Sequence, residues 1–467
     1  MKPPESFGTP DHPFRIAIVG SGPSGFYAAM ALLKENDLHL RVDIFDRLPT
    51  PFGLVRGGVA PDHQKIKSVA KIFEKTAGDS RLRFFGNVAL GRDVQVADLE
   101  SCYHQIIYAI GNESDRPLGI PGEHLEGCLP AGRFVGWYNA HPDFSDLEVD
   151  LGCDRAVVVG NGNVAVDVAR ILAKSADEVR DSDIADYALD ALAASKIREI
   201  VVLGRRGPVQ AAFSPGEIRE LLDLPGGRLT IAPEELALDP ESLADLEKAP
   251  KKSSARSNFE LLEIASKNTC SEDRRRILLR FLTSPVEVIG NAEGRMTAVR
   301  IEKNRLHRGE DGVLRPRGTG ETEIIEAGLL LSSVGYRGTR TPGVPFDEKR
   351  GVIPNIDGRV VSEKDGTVLT GHYVVGWAMS GPRGLIGIHR GLSAGVVDLA
   401  LEDLRAGRHC RPGLTACDIS GLLEQRGVKV VSFEAWKKID AAEIERGERR
   451  GAPRVKFSKI EDMLEVI

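Results

Sequence analysis

Arg15-Ile16-Ala17-Ile18-Val19-Gly20-Ser21-Gly22-Pro23-Ser24-Gly25 is an apolar run that breaks into a glycine-rich turn. A strand, a tight turn and a helix are expected in that order. The first glycine permits the turn, the second lets the backbone approach a pyrophosphate, and the third lets helix pack on strand. The helix N-terminus then presents unpaired N–H groups to the phosphates. The same pattern returns at Ala156-Val157-Val158-Val159-Gly160-Asn161-Gly162-Asn163-Val164-Ala165. A single turn of this kind is a weak signal. Two in one chain imply two dinucleotides, and hence flavin plus nicotinamide redox chemistry.

The rest of the chain is compatible with that reading. Its 467 residues suffice for two or three domains with real cores. Net charge is −6, which argues against general nucleic-acid binding. No apolar run reaches the length of a membrane span, and Met1–Phe14 has no apolar leader, so a cytoplasmic protein is expected. The six cysteines form no C-x-x-C pair. Reduced thiols and no metal site are expected.

Residues 15–46 read as a βαβ unit, with a helix from about Ser24 to Glu35 and a second strand at Arg41–Phe45. Asp46 follows, about 20 residues past Gly25, where an acid can bond a ribose hydroxyl pair. A Gly- and Pro-rich loop, 49–63, leads to a helix with Ile66, Val69, Ala70 and Phe73 on one face. So long a loop is usually functional. In the second unit the next strand, Glu199–Leu203, is delayed by an inserted helix over 183–195 with an Asp-rich cap signal. Ala109-Ile110-Gly111 and Ser333-Val334-Gly335 are similar strand-to-glycine exits, the hinges of one inserted domain. The expected fold is α/β: two Rossmann-like dinucleotide-binding domains, the NADP domain (113–332) inserted into the FAD domain (1–112 and 333–467, ending in a helical tail).

Gly204-Arg205-Arg206-Gly207 stands where an acidic ribose ligand would otherwise lie. Two guanidiniums there favour a 2′-phosphate, which assigns NADP(H) to the inserted unit. The first unit, with Asp46, is then the FAD candidate. A strand and glycine turn at Tyr373–Gly387 suits contacts to the flavin, and Trp377 either stacks near the ring or fills core.

With these motifs in hand, the chain resembles the adrenodoxin-reductase-type NADPH–ferredoxin reductases over nearly its whole length. Further motifs carrying the resemblance are PTPFGLVRGGVAPDHQKIK at 49–67, FVGWYNAHP at 134–142, GRRGPVQAAF at 204–213, FLTSP at 281–285 and SVGYRG at 333–338. The resemblance implies FAD contacts from the turn (Gly20, Gly22, Pro23, Ser24, Gly25) and from Asp46, Leu54, Leu90, Trp377, Gly384, Leu385 and Ile386. It implies NADP contacts from Arg116, Asn161, Gly162, Asn163, Val164, Arg205, Arg206, Glu217 and Gly384. It also implies active-site roles for His63 and Glu220, in positioning nicotinamide and handling a proton. The family's usual basic pair after Trp377 is here Met379-Ser380, and Arg383 replaces a small hydroxyl residue. The implied activity carries a hydride from NADPH to FAD and then single electrons to an iron–sulfur ferredoxin. Ferredoxins are usually acidic, so Arg219, Lys251, Lys252 and Arg256 are the docking candidates.

Other readings make different demands. A flavin disulfide reductase needs a redox C-x-x-C, which is missing. A glutamate-synthase-like electron-input subunit carries an N-terminal cysteine cluster, and no cysteine precedes Cys102. A non-catalytic flavin-binding regulator would not turn over NADPH.

Overall fold

Strand Phe14–Val19 lies inside a seven-stranded sheet ordered Asn355–Ile356, Arg359–Val361, Val368–Val374, Gln105–Tyr108, Phe14–Val19, Leu40–Phe45, Leu82–Phe85. Its last five strands run parallel, and the two at the other edge are antiparallel. Ile16, Ile18, Val42, Ile44, Ile106 and Ile107 are all fully buried. This is why these strands read as continuous apolar runs: both faces of a parallel sheet are covered. The computed structural model describes residues 7–268, 274–382, 384, 386–410 and 418–467.

The second sheet has six strands, all parallel: Cys128–Pro130, Leu329–Ser332, Arg155–Val159, Glu199–Leu203, Arg275–Arg280, Gly227–Thr230. A three-stranded antiparallel sheet, Thr283–Gly290, Met296–Arg308 and Leu314–Glu326, packs against one of its faces. The chain passes between the two large sheets twice. Both passages lie side by side, because Ser114–Asp115 pairs antiparallel with Tyr336–Arg337. Gly111 (φ 69°) and Gly335 (φ 99°) stand before these two short strands. Among the described residues, no helix is long and apolar enough to cross a membrane.

Three local expectations need correction. The first helix is Pro23–Leu32, shorter than expected. The helix expected after the loop is two pieces, Gln64–Lys67 and Ala70–Ala77, so Phe73 is buried while Ile66 is 45% exposed. The inserted helix starts at Asp186, and Asp183 is not its cap but a buried acid engaged elsewhere. The thiols also differ from expectation. Cys128, Cys153 and Cys410 are free, but Cys102 is disulfide-bonded. Spacing along a chain does not report proximity in the fold.

Candidate active site

The two glycine turns fold as their spacing predicts, and their glycines divide by purpose. Gly20 has φ 108°, and a Cβ on it would stand 2.3 Å from the carbonyl oxygen of Ala109. Gly160 has φ 132° and meets the Ser333 carbonyl in the same way at 2.2 Å. A Cβ on Gly25 would lie 2.1 Å from the Gly20 carbonyl oxygen. These three are required by the chain itself. Gly22 and Gly162 are not: φ is −69° and −96°, and an added Cβ would meet nothing within 4 Å. Each caps a helix, Pro23–Leu32 or Asn163–Ala173, without a side-chain hydrogen bond. Open space, glycine and unpaired helix N–H groups together fit a pyrophosphate.

Around the first turn, the loop and the C-terminal return close in. Phe52 N–H donates to Ser21 O (3.1 Å), and a Cβ on Gly53 would lie 2.9 Å from Gly22 Cα. Gly376 lies over Ser24, whose Oγ is 2.3 Å from a Cβ built there. Trp377, half-buried, stacks on Tyr336 with ring centroids 5.7 Å apart. Asp46 accepts from Ser21 N (2.9 Å) and Ser21 Oγ through Oδ2, and from Leu48 N (3.0 Å) through Oδ1. A carboxylate offers about four lone-pair sites, so roughly one is left for a hydroxyl donor. Leu54 is exposed, Pro23, Leu90 and Ile386 are half-buried, and Gly384 is exposed with φ 84°. Leu385 lies outside the described residues, as does Arg383.

The second turn carries donors without partners. Asn161 Nδ2 is buried and unpaired, whereas Asn163 Oδ1 accepts from Ser214 N (2.8 Å). Val164 is half-buried at the helix start. Arg205 is exposed and Arg206 half-buried, and among the described residues no carboxylate pairs with either. Burial, then the neighbouring Arg205, lowers the Arg206 pKa. Such a pair fits a doubly charged phosphate. Arg116 sits on the crossover ribbon, its N–H on Gly335 O (3.0 Å) and its Nε on Tyr336 O (3.1 Å).

His63 ends the loop that lies on the first turn, and it reaches the helix that starts at the second. Its Nε2 is 2.7 Å from Glu220 Oε2 and its Nδ1 is 3.7 Å from Asp167 Oδ1. Ligand-type atoms of His63, Asp167 and Glu217 lie within 4.8 Å of one another. Arg170 holds Asp167 at 2.7 Å and also pairs with Asp62, which Lys174 joins at 2.5 Å. Burial works to raise Asp62, but Arg170 and Lys174 outweigh it and hold it at about 2. Asp167 is raised, chiefly by burial. Sequence reading missed Asp62, Asp167 and Arg170. The only available signal was their place inside or beside the two motifs.

Glu217 is pushed up to about 7, first by burial and then by Asp167. Its folded pKa therefore exceeds the ordinary 4.5. The stability it contributes is full below about pH 4.5 and is lost as pH rises through about 7. Wild type should lose urea resistance relative to Glu217→Gln across that window. A constant gap between their unfolding midpoints would reject the assignment.

The docking candidates divide. Arg219, Lys251 and Lys252 are exposed, and helix Pro215–Leu222 packs on helix Ser254–Ala265. Arg256 is occupied within the chain: its guanidinium donates to Ala249 O and Glu247 O at 2.7 Å each.

Comparison with known proteins agrees with this geometry. Residues 14–202 match the family model described as pyridine nucleotide-disulphide oxidoreductase. The chain is 44% identical over 463 residues to the NADPH-ferredoxin reductase FprA of Mycobacterium tuberculosis, covering 97% of this chain and 99% of that one. It is 42% identical over 473 residues to the mitochondrial NADPH:adrenodoxin oxidoreductase of Homo sapiens, covering 99% and 93%. The solved structure of M. tuberculosis FprA in complex with NADPH superposes with a TM-score of 0.92, covering 97% of this chain and 99% of that one.

Proposed function

The chain belongs to the adrenodoxin-reductase-type NADPH–ferredoxin reductases, and on that premise we propose how its parts divide the work. It is an oxidoreductase that takes electrons from NADPH and passes them to an iron–sulfur ferredoxin. The observation that carries the proposal is the path from one cradle to the other: Gly22, Gly53, the loop to His63, then Asp167 on the helix that Gly162 caps. Two nucleotide sites joined in this way suit a donor and an acceptor held face to face, where proximity and alignment supply much of the rate.

FAD would be held by Gly20, Gly22, Pro23, Ser24, Gly25, Asp46, Leu54, Leu90, Trp377, Gly384, Leu385 and Ile386. When bound, it supplies the exchange between a two-electron donor and a one-electron acceptor. NADP(H) would be held by Arg116, Asn161, Gly162, Asn163, Val164, Arg205, Arg206, Glu217 and Gly384. Residues 113–332 form the NADP domain and 1–112 with 333–467 the FAD domain, a division supported by which strands share each sheet. His63 and Glu220 share a hydrogen bond between the first unit and the inserted one, while Asp167, held by Arg170, faces the other ring nitrogen at 3.7 Å. An intracellular setting is supported by the donor, NADPH; the reading within it is cytoplasmic, where the Cys102 disulfide has to persist against reducing thiols.

Purified protein should be yellow and should reduce ferredoxin with NADPH. Colourless protein that takes up no flavin would overturn the proposal. Lys251→Glu with Lys252→Glu should slow ferredoxin reduction about 10-fold at low salt and leave ferricyanide reduction unchanged. Equal loss in both assays would reject docking at that segment.

A further inference from the structure

Away from the nucleotide cradles, a second charged cluster is buried where the loop of the first unit, the inserted unit and the C-terminal tail meet. Lys67 Nζ lies 2.7 and 2.8 Å from the two oxygens of Asp183 and 3.2 Å from Asn139 Oδ1. Lys456 Nζ lies 3.1 Å from Asp183 Oδ2 and 3.1 Å from Asn139 Oδ1. It is also 3.2 Å from the carbonyls of Arg56 and Asn139. The side chains of Lys67, Asp183 and Lys456 are 10%, 4% and 1% exposed. The cluster thus joins the loop of the first unit, the inserted unit (Asn139, Asp183) and the tail (Lys456).

Its place along the loop matters. Lys67 is the last residue of helix Gln64–Lys67, whose N-cap is His63. The N–H groups of Ile66 and Lys67 bond to the His63 carbonyl at 3.0 and 3.2 Å. The tail grips the same loop again nearer its start. Arg56 forms two hydrogen bonds with Glu443, a fully buried acid of helix Phe433–Glu448. The chain is therefore held on both sides of His63, at Arg56 and at Lys67, by charged groups of the tail and the insert.

A buried ion cluster is weak evidence for stability, because desolvation offsets much of the attraction. Two ammoniums on one carboxylate are a poor stabilising device, and an apolar filling would serve at least as well. What the arrangement does supply is direction. Each ammonium has three donors, and these are aimed at fixed oxygens of the loop (Arg56) and of the inserted unit (Asn139, Asp183). No group of the cluster lies in either nucleotide cradle.

We propose that Asp183 and Lys456 are positioning residues for the reaction: by clamping Lys67 they fix the one-turn helix headed by His63 against the inserted unit. This rests on the reading of His63 given above. A displacement of about 1 Å at a reacting centre can cost about 100-fold in rate, so a loosened clamp should be visible.

The test uses holoenzyme. In Lys456→Met and in Asp183→Asn, flavin reduction after rapid mixing with NADPH should slow at least about 10-fold. The dissociation constant for NADP+ should change less than about threefold, and hydrogen exchange at residues 64–68 should rise. Combined with His63→Gln, Lys456→Met should add no further loss, because both act through one group. If Lys456→Met fails to fold, Lys456→Gln carries the same test, keeping an N–H donor without the charge. A wild-type reduction rate, or rate effects that multiply with His63→Gln, would overturn the inference. If His63→Gln alone leaves reduction unchanged, the reading of His63 falls and this inference with it. If only the Lys456 and Asp183 variants are silent, the reading of His63 stands.

Discussion

Replacing Arg205 and Arg206 together by alanine should raise KM for NADPH about 100-fold and leave KM for NADH within a few-fold of wild type. Hydrogen bonds to charged groups contribute about 1.5–3 kcal/mol each. Two of them, at 1.4 kcal/mol per factor of ten, give about 10²–10⁴. The lower end applies here, because Arg205 is exposed and water screens it. The two guanidiniums are neighbours without an acid partner among the described residues, and burial, then Arg205, lowers the Arg206 pKa. A 2′-phosphate relieves that repulsion as well as filling the donors, whereas a 2′-hydroxyl does neither. Steady-state kinetics with ferricyanide as acceptor measures this without involving the protein partner. Equal losses with NADPH and NADH would mean that the pair supports the turn and does not select the nucleotide.

What the sequence made legible was local. A strand running into a glycine turn and a helix is specified within about 20 residues, and both such units fold as expected. The Arg205-Arg206 pair was readable because its register against Gly160 places it at the end of the next strand. The charged groups around His63 were only half legible. Glu217 and Glu220 sit three apart on one helix, a pattern more often solvated than functional. Their meaning comes from His63, 157 positions earlier than Glu220. The Asp183 cluster was invisible for the same reason: its partners stand 116 positions away at Lys67 and far down the chain at Lys456. Locally, Asp183 looks like a helix cap, the commonest use of such a residue. Arg256 misled in the opposite direction. It stands in a basic run, but its guanidinium closes two backbone carbonyls, so charge counting overstated the free surface.

The middle glycines offer the sharpest separation of fold from ligand. Gly22→Val should fold with the stability of the flavin-free protein and hold essentially no flavin. Gly162→Val should stay yellow and lose NADPH-driven ferricyanide reduction by about 100-fold or more. Both positions have extended backbone at the cap, with ψ of 179° and 178°, which a β-branched residue accepts. Both have open space where a Cβ would go. The added Cβ therefore meets nothing of the protein within 4 Å, and the side chain extends into the approach that the helix N–H groups leave open. Gly20→Ala is the contrasting case. There φ is 108° and the methyl collides with the Ala109 carbonyl, so the chain itself must shift. A positive φ alone costs about 1–3 kcal/mol. Loss of flavin in that variant should come with a lowered melting temperature, whereas in Gly22→Val it should not. Flavin content by absorbance and melting temperature of the flavin-stripped proteins distinguish the two. Full flavin in Gly22→Val would place the pyrophosphate somewhere other than across that turn.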